Sequence, residues 1–385
     1  MATYAEAGGG FHLLWTQLLL LPFMMGVQEL SARIAIVTQR GYLGKYPHAP
    51  FMAFASAALL LLANIFNIAA DLNMLAATLD LVLPVSVPVM MGAVALIVVC
   101  LEVFLDYAVY ARLLKWLSMT LLAYVAVVFF LKVPWHEVFL AIVRPDIQFN
   151  RTFLYLLVAC IGTTISPYLY FWQANEVIED EEAGSQKQRI FAMRGDTAFG
   201  MVFSNVIALC IMLVGALLAS RLGGSVDSAA DLASLLEPFA GRGAVLLFVV
   251  GIVSSGLLAI PVLAGSAGYA LGESLGWSVG MKKKWYDAKG FNLVMAAATL
   301  IGLAINAAGF DPINMLVGSS VLNAVVAIPS LAALLFLGNH AGLMGKWRSG
   351  WASNLTVGFA LLLLIVSVIF MAWTAIPAEA VATLF

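Results

Sequence analysis

Ten stretches of this chain are each long and apolar enough to cross a lipid bilayer. They lie near residues 11–32, 50–78, 85–106, 111–132, 152–176, 195–220, 241–268, 290–309, 312–338 and 350–375. A membrane-spanning helix needs about 20 mainly apolar residues. Because hydrocarbon offers no hydrogen bonds, a helix that satisfies its own backbone is the favoured spanning structure. The pattern therefore predicts an all-α polytopic membrane protein whose surroundings are the lipid bilayer.

The composition agrees with a protein embedded in lipid. Hydrophobic residues make up 63% of the 385 residues and charged residues only 10%, whereas a soluble domain has about 45–50% and about 25%. A net charge of −2 without a basic stripe predicts no nucleic-acid partner. The three cysteines and four histidines are scattered, so no metal cluster, haem or other cofactor is expected. The sequence has no phosphate loop and no nucleophile–base pair, which predicts that the protein is not an enzyme.

Basic residues are distributed unevenly between the predicted loops. If the first helix runs from outside to inside, the inner loops hold fourteen of the 19 lysines and arginines, and the outer loops hold five. Lysine and arginine concentrate in the cytoplasmic loops of membrane proteins. The bias predicts this orientation, with the C-terminus outside the cell.

The apolar stretch near 152–176 is interrupted at its centre by the sequence IGTTISPYLY, residues 161–170. Pro167 cannot donate a backbone hydrogen bond and clashes with the carbonyl four residues earlier. We therefore predict a broken helix in which the carbonyls near Thr163 and Thr164 lose their helical partners. Free carbonyls at such breaks bind cations in many transporters, and the Ser166 hydroxyl would add an oxygen. The alternative is a proline kink whose backbone is repaired by serine and threonine hydroxyls.

Polar residues inside other apolar stretches are candidates for a transport path. Asp71 lies in the middle of an otherwise apolar stretch, and an ionisable group inside a membrane is a functional hypothesis by default. Asn205 and Asn323 lie within two further stretches and are candidates to line the same path. For all three residues the alternative is a hydrogen bond that joins two helices.

Four short motifs occur in a defined order along the chain. Residues 2–3 read AT, residues 6–8 read EAG, residues 111–115 read ARLLK and residues 162–168 read GTTISPY. In this order and spacing they resemble the Nramp family of divalent-metal transporters. The sixth helix of that family is broken at a Gly-Ala-x-x-Met-Pro-His type motif, and its first helix carries Ala-Thr followed by Glu-Ala-Gly.

The resemblance implies a leucine-transporter-type fold, in which two inverted five-helix repeats meet at broken first and sixth helices and an eleventh helix follows. On this expectation the chain is a single transporter domain over residues 1–385. Repeat one spans about 1–132, repeat two about 150–338, and the extra helix about 350–375. Met1 stands where the residue after the family's Asp-Pro motif belongs. The first half-helix, with the family's aspartate ligand, is therefore expected to be absent from this chain and to lie upstream of Met1.

The chain departs from the family's pattern at several chemically important positions. Ser166 replaces the sixth-helix methionine, and a soft thioether favours transition metals over hard ions. Its loss is expected to relax discrimination against magnesium or calcium. Tyr168 replaces a histidine, Met74 replaces a glutamate, and the ninth helix has no arginine. Since the family's proton route resembles a chain of such groups, we expect weak or no proton coupling.

These observations together predict a divalent metal cation transporter that works by alternating access in a bacterial plasma membrane. The metal ion, of manganese, iron or magnesium type, is its substrate and not a cofactor. Thr163 and Ser166 are the predicted metal-binding residues. The predicted pathway residues are Thr3, Glu6, Asp71, Thr164, Tyr168, Asn205 and Asn323.

Three alternative functions stay open on the sequence alone. The first is proton-coupled symport of manganese or iron that uses other groups, such as Asp71. The second is transport of an amino acid or another organic solute on the same scaffold. The third is a fragment or membrane sensor that transports nothing. The sequence leaves the oligomeric state open.

Overall fold

The computed structural model describes residues 11–41, 50–104, 107–148, 150–180, 184–222, 229–309 and 312–375. Over these residues the chain is nearly all helical, and ten helical spans are long and apolar enough to cross a membrane. The prediction of ten membrane-spanning segments is confirmed. Thr3 and Glu6, two of the predicted pathway residues, lie outside the described residues.

The helices follow one another with short connections. In chain order they are α1 (Leu14–Thr38), α2 (Pro50–Asp80), α3 (Val87–Phe104), α4 (Tyr107–Thr120), α5 (Leu122–Phe130), α6 (Trp135–Val143), α7 (Arg151–Thr164), α8 (Pro167–Glu179), α9 (Gln186–Leu222), α10 (Ala229–Leu275), α11 (Lys289–Asn306), α12 (Pro312–Asn339), α13 (Ala341–Met344) and α14 (Trp351–Ala375). A 3-10 turn, Gly345–Trp347, follows α13.

Some helices differ from the sequence prediction. The helix expected near 111–132 is divided by a turn at Leu121 into α4 and α5. Helix α9 begins at Gln186 rather than near 195, because hydropathy marks only its apolar part and the helix continues through polar residues. Helix α6 has no counterpart among the predicted helices, since its 9 residues are too few to cross a bilayer. Helix α10 is interrupted at Gly241, whose φ of 76° suits a glycine.

Helix α2 packs against α3, α10, α11 and α12, and asparagine side chains hold it to several of them. Asn64 Nδ2 donates to the Leu263 carbonyl on α10 at 2.8 Å. Asn73 Nδ2 donates to Asn306 Oδ1 on α11 at 2.9 Å. Lipid cannot replace such bonds, so they fix the orientation of otherwise apolar helices.

The helix bundle has two ends with different contents. The α6 end contains α6, the starts of α1, α7 and α12, and the last turns of α9. The α13 end contains the last turns of α1 and α8, the start of α9 and the turn after α13. Most basic residues of the predicted inner loops belong to the α13 end, so the predicted orientation puts that end in the cytoplasm.

Candidate functional site

The predicted helix break is present between α7 and α8. Helix α7 ends at Thr164, and α8 begins at Pro167. Ser166 between them is extended, with φ −77° and ψ 134°. Proline fits the first position of α8 because the N–H that it lacks has no helical partner there. The break therefore follows directly from the position of Pro167 in the sequence.

Two hydroxyl groups satisfy part of the backbone at this break. Ser166 Oγ donates to the carbonyl of Gly162 at 2.6 Å and also approaches the carbonyl of Thr163 at 3.1 Å. Thr164 Oγ1 donates to the Cys160 carbonyl at 2.8 Å. Within the described part of the chain, no backbone N–H donates to the carbonyls of Thr163 or Thr164. Each of these two oxygens therefore has at least one lone pair that no backbone N–H uses.

A glycine lets α7 touch the neighbouring helix directly beside the break. A β-carbon at Gly162 would collide with the backbone carbonyl of Ser320 on α12 and would lie 2.8 Å from the backbone nitrogen of Ala324. Only the absence of a side chain allows this approach. The last turn of α7 is thus fixed in place by its fit against α12.

A cavity of about 430 Å³ lies beside the break, on its α6 side. Its wall combines α7 and α8 with parts of α1, α9, α10 and the turn before α5. The polar lining residues are Gln17, Thr163, Thr164, Tyr168, Ser204, Asn205 and Ser255. Its apolar and sulphur-containing wall includes Met24, Leu121, Cys160 and Met212. The oxygen donors among these residues are neutral amides and hydroxyls.

The structure brings four of the sequence-predicted residues together in this cavity. Thr163, Thr164, Tyr168 and Asn205 all line it, and Thr163 is exposed within it. Ser166 is only 1% exposed and lines a smaller void on the other side of the break. Its hydroxyl bonds to the backbone, which matches the structural alternative for this residue.

The other two predicted pathway residues that the structure describes lie away from the cavity wall. Asn323 Oδ1 accepts a hydrogen bond from Asn67 Nδ2 at 3.2 Å, so it joins α12 to α2. Asp71 belongs to α2 and is not among the residues that line the cavity.

Two cavity residues on α1 are absent from the sequence prediction. Gln17 lines the cavity, and Met24 lines both the cavity and the smaller void beside Ser166. Gln17 is the one strongly polar side chain in the apolar run LLWTQLLLL, residues 13–21, which is a usable signal. Met24 gives no such signal, because a methionine in an apolar helix is normally read as packing.

The described residues contain no group of three or more histidine, cysteine, aspartate or glutamate side chains that would hold a metal ion. A cation at the break would therefore meet carbonyl, amide and hydroxyl oxygens. Neutral oxygens are suitable ligands for hard divalent ions, which often keep part of their water shell.

Comparison with known proteins decides the family. The sequence profile of Nramp, described as natural resistance-associated macrophage protein-like, matches residues 1–374. The chain belongs to the Nramp family. The divalent metal cation transporter MntH of Aeromonas hydrophila subsp. hydrophila is 25% identical to this Nramp-family chain over 358 residues, covering 90% of this chain and 85% of the relative. The MntH of Mycobacterium tuberculosis is 26% identical over 324 residues, with 81% and 72% covered.

Solved structures share the fold of this Nramp-family chain. A crystal structure of a mutant of the Eremococcus coleocola manganese transporter superposes with a TM-score of 0.68 at 19% identity, covering 95% of this chain and 82% of that one. The same transporter in complex with an aromatic bis-isothiourea substituted compound gives 0.66 at 17% identity, covering 100% and 88%. The expected leucine-transporter-type, all-α membrane fold is confirmed.

Proposed function

We propose that the protein carries a divalent metal cation across a bacterial plasma membrane by alternating access. The observation that carries this proposal is the helix break, where the Thr163 and Thr164 carbonyls lack a backbone partner beside a cavity lined by neutral oxygen donors. Family membership and the names of the relatives support a divalent metal as the substrate.

The break is suited to releasing an ion as well as to binding it. The carbonyls of Thr163 and Thr164 lie at the end of α7, beside the short connection to α8, so a small rotation of either half-helix changes their arrangement. The ligands are neutral, which keeps binding moderate, and a transported ion has to leave. The metal-binding role of Thr163 rests on its carbonyl. Ser166 contributes by capping the carbonyl of Gly162 beside it.

We further propose that proton coupling is weak or absent. The described cavity wall has no carboxylate and no histidine. Tyr168 and Met74 occupy positions where the resemblance expects titratable groups, and Met74 packs against an apolar cluster around Tyr124 and Phe248. Asp71 is the group that would serve the alternative of proton-coupled symport.

Reconstitution into liposomes tests this proposal. Vesicles that contain the full chain and a trapped pH dye are given Mn²⁺ or Mg²⁺, and the uptake of metal and the internal acidification are recorded together. We expect saturable uptake of the metal ion with far less than about one proton per ion. Empty vesicles provide the baseline for leakage.

The variant Asp71→Asn separates the two coupling modes. With uncoupled transport, uptake of metal ion by this variant continues without a change in internal pH. Acidification by the wild type that disappears in Asp71→Asn would instead establish proton-coupled symport through Asp71. Absence of metal uptake by the wild type would contradict the transport proposal itself.

A further inference from the structure

Two buried amide side chains on different helices line the cavity without a hydrogen bond to another described residue. Gln17 on α1 and Asn205 on α9 are each 6% exposed, and both line the cavity. Among the residues that the structure describes, neither side-chain amide donates or accepts a hydrogen bond. Buried polar groups in folded proteins are normally satisfied by protein, water or a ligand.

Other buried asparagines of the same bundle illustrate the contrast. Asn64 donates to the Leu263 carbonyl, and Asn175 donates to the Phe171 carbonyl at 3.0 Å. These amides join helices or close a helical turn, and their role is structural. Gln17 and Asn205 have no such partner in the described residues, so their polar groups remain available to whatever occupies the cavity.

The volume of the cavity fits an ion that keeps its water. About 430 Å³ is available, whereas six waters take up roughly 180 Å³ at the volume that water has in the liquid. An ion that keeps its water contacts such amides through its waters, which donate hydrogen bonds to the amide oxygens while the metal stays at the centre.

We propose that Gln17 and Asn205 form a subsite that binds the divalent cation with its water shell in place, before it reaches the helix break. This inference rests on the proposed transport of a divalent metal. The amide oxygens accept hydrogen bonds from the metal's waters. Water is then removed at the break, where the carbonyls of Thr163 and Thr164 take over as direct ligands.

The hexaamminecobalt(III) ion provides a direct test, because it has the size of a hydrated divalent ion and does not lose its ligands. We measure its inhibition of Mn²⁺ uptake by liposomes that contain the full chain. The expected result is competitive inhibition by the wild type. In Gln17→Leu and Asn205→Leu, inhibition weakens by about tenfold or more, as for the loss of a hydrogen bond to a charged group.

Two further variants separate binding from structure. Gln17→Glu keeps the shape of the side chain and adds a negative charge, so it is expected to strengthen inhibition and to lower the KM for Mn²⁺. A purely structural role of Gln17 would make Gln17→Glu as harmful as Gln17→Leu. Gln148→Leu changes an exposed glutamine outside the cavity and serves as the matched control, with inhibition unchanged.

The outcomes distinguish this subsite from the transport function. Normal Mn²⁺ uptake that hexaamminecobalt(III) does not inhibit would overturn the hydrated-ion subsite and leave the proposed function standing. Inhibition of equal strength in the wild type and in both leucine variants would overturn the roles of Gln17 and Asn205. Absence of Mn²⁺ uptake would overturn the proposed function, and the subsite with it.

Discussion

The α13 end and the α6 side of the bundle are held together by different forces. At the α13 end, ion pairs and hydrogen bonds of charged side chains connect α1, α9 and the segment after α13. On the α6 side, apolar contacts and close fit hold the helices, and a cavity reaches the break. The proposed alternating access requires the two sides to exchange their open and closed states. Opening of the α13 end would then require these polar contacts to break.

Arg33 is the centre of the contacts at the α13 end. Its guanidinium is 4% exposed and donates to the Trp347 carbonyl at 3.0 Å and to Ser353 Oγ at 2.9 Å. Arg33 Nε lies 3.3 Å from Glu29 Oε1, and Arg194 Nε from α9 lies 2.8 Å from the same oxygen. One arginine of α1 is therefore connected to the segment after α13 and, through Glu29, to α9.

The polar contacts of the α6 side are more exposed: His12 Nδ1 lies 3.4 Å from Asp146 Oδ2, with side-chain exposures of 34% and 66%. Leu14 of α1, Val138 of α6, Phe153 of α7 and Met212 of α9 pack into one apolar cluster. Apolar contacts are non-directional, and lipid competes with them, so such a cluster tolerates sliding better than a network of bonds. The two sides therefore differ in the kind of contact: directional polar bonds fix the α13 end, whereas non-directional apolar packing holds the α6 side.

The substitution of Arg33 is expected to have the largest effect on the contacts that distinguish the α13 end from the α6 side. Arg33→Met removes four polar contacts at once, to Trp347, Ser349, Ser353 and Glu29. A hydrogen bond to a charged group contributes about 1.5–3 kcal/mol, so we expect a loss of at least that order in the free energy of unfolding. Thermal unfolding in detergent measures it. Arg348→Met, which changes an exposed arginine of the same region, is the control and is expected to behave as the wild type.

A substitution of Gly162 tests the close fit between α7 and α12 on the α6 side. Gly162→Ala places a methyl group against the Ser320 carbonyl, so α7 has to move away from α12. Overpacking of this kind costs about 1–3 kcal/mol, and we expect metal uptake to fall because the break shifts with α7. The control is Gly200→Ala on α9, where a β-carbon meets nothing within 4 Å. Reduced uptake by both variants would show that the fit at Gly162 has no special role.

The sequence predicts the helices and the helix break of this site better than it predicts which side chains meet between helices. The ten spans and the break at Pro167 follow from hydropathy and from the missing proline N–H, which are local properties. Whether Asn323 lines a path or bonds to Asn67 depends on how two distant helices are rotated, and no local property reports that. That Gln17 and Asn205 line one cavity also depends on the rotation of two helices, so the local sequence does not predict it.

Ser166 illustrates a second kind of limit. From the sequence, the Ser166 hydroxyl could either bind a metal ion or donate a hydrogen bond to a backbone carbonyl. Both roles call for a serine at this position, so the sequence does not distinguish them. The structure has its Oγ 2.6 Å from the Gly162 carbonyl, a contact that depends on the extended backbone at the break. Its role in metal binding stays a prediction, and family resemblance alone does not decide between the two.

The smallest expected effect concerns Arg194, and it asks whether the α13 contacts control opening or only stability. Its ion pair with Glu29 is half exposed, with side-chain exposures of 49% and 18%, and such pairs contribute about 0.2–1 kcal/mol. Arg194→Met should barely change unfolding. If the pair exists only in the closed state, its loss shifts the population towards an open α13 end by up to about fivefold.

Accessibility of a buried α13-end residue measures this shift. Ala32 is 0% exposed in the cluster at this end, so Ala32→Cys reacts with a maleimide only when the end opens. The measurement uses a background in which Cys100, Cys160 and Cys210 are replaced by alanine. We expect faster labelling in Arg194→Met than in Arg348→Met. Equal labelling rates would mean that this ion pair does not control the opening of the α13 end.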